Sequence, residues 1–169
     1  MKFLASIVSL VLLSLSANSY GTTLQGISQR QLVQEADLIV HVTPLAHSSH
    51  WHRGRIYTHY NVKVMEYLLG QGPAKLNIEL LGGQVNGIAQ TVSGVPKLKL
   101  QEPKLLFLKR APDRSAFIPI RLGLGIYRYD DSRRYWSPST HDLRVLGETP
   151  KPVGLDELRE TISTLRGSQ

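Results

Sequence analysis

From Arg55 to Leu69 the chain alternates at period two along most of its length. Ile56, Thr58, Tyr60, Val62, Val64 and Leu68 fall on one side, and Tyr57, His59, Asn61, Lys63 and Tyr67 on the other. A helix turns through its faces every 3.6 residues and would mix the two sets, whereas a strand keeps them apart. A strand this long must curve around a core, with one face left wet. It restricts the domain to a β-rich architecture and sets the frame for its neighbours.

Asp37 to Leu45 reads as a strand, with Pro44 marking its end or a bulge because proline cannot donate to a ladder. His47 to Gly54 then reads as a polar turn or hairpin tip. Gly70-Gln71-Gly72-Pro73 closes the long strand, and Lys75 to Leu81 follows with Leu76, Ile78 and Leu80 inward and Lys75, Asn77 and Glu79 outward. Gly82 to Pro96 is glycine-rich, with Ile88 to Val92 extended. Lys104 to Lys109 is apolar on both faces and reads as a central, covered strand. Phe117 to Arg121, Gly125 to Tyr129 and Arg133 to Trp136 are further strands, the last two joined by a turn at Asp130-Asp131-Ser132.

Two helices flank the strands. Ser28-Gln29-Arg30-Gln31 has the form of a capping box that opens a short helix running to about Ala36. Gly154 to Arg166 carries Leu155, Leu158, Ile162 and Leu165 in one stripe. Asp156 and Glu157 in its first turn and Arg166 in its last suit the helix dipole. No strand–helix–strand alternation occurs, which excludes a doubly wound fold. The expectation is a mainly β domain: a small antiparallel OB-like barrel with a short N-terminal helix and a C-terminal amphipathic helix. A β-sandwich is the alternative.

Residues 1–19 read as a signal peptide: Lys2, an apolar run from Phe3 to Leu15, and small residues at Ala17-Asn18-Ser19. The run is shorter than the ~20 residues that span a bilayer. Residues 20–169 then form one domain, periplasmic or secreted, with no transmembrane segment after cleavage. Cysteine is absent, which excludes thiol catalysis, thiolate metal sites and a lipid anchor at the signal junction. The formal net charge of +7 favours an anionic partner, a protein or a polymer of the envelope or the cell exterior. Export argues against nucleic acid.

The run Ala36-Asp37-Leu38-Ile39-Val40, the long strand ending Tyr67-Leu68-Leu69-Gly70, and Glu102-Pro103-Lys104-Leu105-Leu106-Phe107-Leu108 together resemble the netrin-type module. That module is the OB-like barrel also found in tissue inhibitors of metalloproteinases. Gly82-Gly83 and Val92-Ser93-Gly94-Val95-Pro96 resemble a signature of exported bacterial proteins of uncharacterised function. The resemblance runs from Gln31 to Tyr129 and implies a fold. The inhibitors reach zinc through an N-terminal cysteine, so their chemistry does not carry over.

Three groups of residues have chemical potential. His47, His50 and His52, with His59 from the next strand, offer imidazoles suited to zinc or copper, although no carboxylate lies nearby in sequence to orient them. Arg128, Arg133, Arg134 and Trp136 interleave cations and rings, as surfaces that stack sugars or bind anions do. Gln84, Asn86 and Gln90 sit in the glycine-rich stretch, which lacks the ending of a P-loop and reads instead as a recognition loop, with Trp51 at the neighbouring tip. Ser93 lies outside any nucleophile elbow, and Thr140-His141-Asp142 points to alternate faces of a strand. Glu66, Glu79, Glu102, Asp130 and Asp131 supply carboxylates without a spacing that pairs them. The leading expectation is an exported non-catalytic binding module without a cofactor. A metal-binding protein using the histidine cluster is the alternative, and a small secreted hydrolase the second.

Overall fold

The computed structural model describes residues 23–112, 116–140 and 143–167. The expected signal peptide, and His141 and Asp142, lie outside them. The fold is mainly β. Its main strands are β2 (Leu38–His52), β3 (Arg55–Leu69), β4 (Lys75–Leu81), β7 (Lys104–Arg110), β8 (Phe117–Pro119), β9 (Ile126–Asp130) and β10 (Tyr135–Pro138). They form one seven-stranded sheet in the order β10-β9-β7-β2-β3-β4-β8. Strand β8 pairs with both β4 and β7, so the ladder returns on itself and the sheet is ring-like. The β4–β8 joint is parallel, at Ile78 and Phe117, where antiparallel pairing throughout was expected. Short strands β1 (Thr23–Gln25) and β11 (Arg144–Leu146) form a separate parallel pair that local patterning did not reveal.

Alternation along β2 and β7 separates two cores. Val40, Val42, Leu106 and Leu108 face the inside of the ring with Tyr60, Val62, Leu76, Ile78 and Ile126. Ile39, Leu105 and Phe107 face outward against Leu32, Val33, Tyr127, Trp136, Leu158 and Ile162. This double coverage is why the β7 sequence is apolar on both sides. Helices α1 (Gln29–Glu35) and α2 (Leu155–Arg166) cover the outer core. The capping box forms as expected, with Gln31 N–H donating to Ser28 Oγ (3.1 Å) and Ser28 N–H to Gln31 Oε1 (2.9 Å). Among the described residues no helix is long and apolar enough to cross a membrane.

The β2–β3 hairpin departs from the turn expected over His47 to Gly54. Strand β2 does not stop at Leu45; it bulges after Pro44, skips one residue, and stays paired to His52. Arg53 (φ 47°) and Gly54 (φ 75°) alone make the turn, as in the primed two-residue hairpins. The polar residues His47 to His52 are therefore held on a ladder. The glycine-rich stretch contains a smaller hairpin, β5 (Gly83–Val85) and β6 (Ile88–Gln90), turning at Asn86-Gly87.

Candidate functional site

The register of β2 against β3 opposes Ser48 to His59, Ser49 to Thr58, and His50 to Tyr57. Directly opposed residues share a face, so the hairpin carries two distinct polar surfaces. Ser49, Thr58 and Tyr60 lie on the inner face with His47. His50, His52, Tyr57 and His59 lie on the outer face.

On the inner face the glycine-rich stretch folds over the hairpin and encloses a cleft of about 720 Å³. Ser49, Thr58 and Tyr60 lie on its hairpin side, Gly82 to Gln84 and Gln90 to Val92 on its loop side, and Lys97 to Leu100 complete the lining. The loop is tied down at its root. Gly82 N–H donates to Ile56 O (2.7 Å), and Thr58 Oγ1 donates to Gly82 O (2.7 Å). Ile56 N–H donates to Gln90 Oε1 (2.8 Å). Its far end is tied as well, through Gly123 N–H to Gly94 O (2.9 Å). Tyr60 is buried, and desolvation raises its phenol above the ordinary range, so it faces the cleft as a neutral hydroxyl.

These contacts redistribute the expected binding residues. Gln84 and Asn86 line the cleft, and Trp51 stands 47% exposed at the hairpin tip. Gln90 also lines the cleft, but its side-chain oxygen serves the backbone of β3 and so works as an anchor. Trp136 is not on the basic surface where it was expected: it is 3% exposed, edge-on to His41 and packed in the outer core. Arg128 is exposed on β9, and Arg133 and Arg134 are exposed in the turn organised by Asp130, whose Oδ1 accepts from Ser132 and Arg133 N–H. None of the three arginines lines the cleft.

On the outer face the histidines sort differently from the expected set. His50 and His59 approach with ring centroids 4.3 Å apart. His59 faces Glu79 across the β3–β4 ladder, with Nε2 2.8 Å from Oε2. The Glu79 side chain is only 2% exposed, although alternation along β4 had pointed it toward solvent. This is the carboxylate that the sequence neighbourhood of the histidines lacked. It comes from the adjacent strand, through a register that pairs Lys63 with Lys75 and His59 with Glu79 and that the position of the Gly70–Pro73 turn does not give. His47 is excluded from the group, since it lies on the inner face beside Tyr60 (5.4 Å between ring centroids). His52 packs edge-on to Tyr57 (5.9 Å), and its Nε2 is buried with no hydrogen-bond partner among the described residues.

The other carboxylates disperse. Glu66 pairs with Arg159 (2.7 Å), Glu102 with Lys99 and Lys104, and Asp130 with Ser132. Lys99 and Lys104 hold the Glu102 carboxyl below its usual range by hydrogen bonding.

The chain matches no protein-family model, and no curated protein shows significant similarity to it. The reading of its function therefore rests on its own residues.

Proposed function

We propose that this chain is an exported, non-catalytic binding module, periplasmic or secreted, built on an OB-like barrel of the netrin type. It takes an extended segment of a partner protein into the cleft under the glycine-rich loop. The observation that carries this reading is the anchorage of that loop at both ends. A cleft of about 720 Å³ held open by hydrogen bonds to Ile56, Thr58 and Gly123 needs little reordering to receive a ligand. Its surroundings mix chemistries. Trp51, Ile88 and Leu100 are large exposed apolar side chains on the hairpin, loop and rim, and Lys97 and Lys99 add positive charge. Exposed apolar groups around a polar floor favour a protein segment over a polymer that offers charge alone. The lysines and the net charge of +7 favour acidic residues in that segment.

Crosslinking the untagged protein in envelope extract tests this. The wild type and an R133A/R134A variant should capture the same partner, and an L100D variant, changed at an exposed residue of the cleft lining, should lose it while keeping its melting temperature. Undiminished capture by L100D removes the cleft from consideration. Loss in R133A/R134A instead relocates the site to the β9–β10 turn.

A further inference from the structure

We propose that His50, His59 and Glu79 form a site for one divalent first-row metal ion, zinc or copper(II), on the outer face of the hairpin and away from the cleft. One nitrogen from each histidine and one carboxylate oxygen all lie within 4.8 Å of one another. Zinc binds histidine nitrogen and carboxylate oxygen at about 2.0–2.2 Å, which brings donors in a tetrahedral shell to roughly 3–3.5 Å apart. The His59–Glu79 pair already stands at 2.8 Å. Rotation of the half-buried His50 ring closes the remaining gap.

The scaffold favours this. The three donors come from β2, β3 and β4, neighbouring strands whose ladder fixes their spacing before any ion arrives. Tyr57 stacks on His50 at 6.3 Å and limits where that ring can swing. Burying a carboxylate is costly unless positive charge accompanies it. Glu79 is sunk beside two imidazoles, a place where a dication offsets that cost. The His59 side chain is 42% exposed, which leaves an entry path. Two imidazoles and one carboxylate select zinc or copper over calcium and magnesium, which prefer oxygen donors alone. Three protein donors also leave a coordination position open to water or to a donor from a partner.

The site stands independently of the cleft, and its test does not require the partner. Untagged protein is titrated with zinc by calorimetry and with copper(II) under electron paramagnetic resonance. One equivalent should bind, with hyperfine coupling to two nitrogens. H50A, H59A and E79Q should each weaken zinc binding by at least about 100-fold. Loss of a group that merely orients a ligand costs up to about that much, and loss of the ligand itself should exceed it. H47A and H52A should stay within about threefold of wild type, because neither donor belongs to the cluster. If E79Q fails to fold, the two histidine variants, both at half-buried positions, decide the matter. Absence of stoichiometric binding by the wild type, or unchanged affinity in H50A, overturns the site.

Discussion

Gly83 sits where a methyl group has no room. A Cβ there would lie 2.3 Å from Thr58 Oγ1 and 2.5 Å from Ser49 Oγ, and its φ of +142° is one that other residues rarely adopt. The loop crosses the Ser49–Thr58 hydroxyl pair at backbone distance because the residue is glycine. G83A should therefore cost about 1–3 kcal/mol in urea unfolding, through strain at the loop root. His41 gives a second prediction at this scale. Burial against Trp136 lowers its pKa below 6.5, opposed by the nearby Glu66 carboxylate, and its Nε2 has no hydrogen-bond partner among the described residues. The unfolded chain thus binds this proton more readily than the fold does. The stability His41 contributes is fully present above about pH 6.5 and is lost as pH falls from there through the lowered folded value. Denaturation midpoints at pH 7 and pH 5 should fall further apart for the wild type than for H41L. Equal spacing would show that His41 is not desolvated.

Beyond their shared apolar core, the two helices are joined by one polar side chain. Arg166, in the last turn of α2, brings Nη2 to the carbonyls of Val33 (3.1 Å), Gln34 (2.9 Å) and Ala36 (2.8 Å). These are the acceptors that the end of α1 leaves without intrahelical donors. Arg166 was legible as the cation that suits its own helix dipole. Its service to the other helix was not, because 130 residues separate it from Ala36. R166A should destabilise the protein by about 1–3 kcal/mol, as expected for lost charge-assisted hydrogen bonds. Hydrogen exchange should locate the loss at the α1 end, and uniform protection there would count against the capping role. The helix spans themselves were readable from local rules: the capping box at Ser28, and the apolar stripe from Leu155 to Leu165 within Gly154 to Arg166.

At the scale of the molecule, the two cores share β2 and β7 but differ in what closes them. The ring closes its own core, while the outer core depends on α1 and α2. A chain ended at Gly154 loses Leu158 and Ile162, both buried, and with them roughly 3–6 kcal/mol of apolar burial. A domain's whole stability is only about 5–15 kcal/mol. Calorimetry should show the cooperative transition lost or moved far down, and an unchanged transition would mean the outer core carries little. Patterning at period two and period 3.6 was enough to establish a mainly β chain, the span of β3, the covered strand β7 and the amphipathic α2. Each of these depends on contacts that repeat along the chain every few residues. The tertiary structure alone decided the return of the sheet through β8, the burial of Trp136 in the outer core, the sorting of His47 away from His50 and His59, and the arrival of Glu79 beside them. Those outcomes depend on strand order, on register and on a bulge at Pro44. A one-residue shift in register turns every side chain to the other face, and local alternation reads the same in either case.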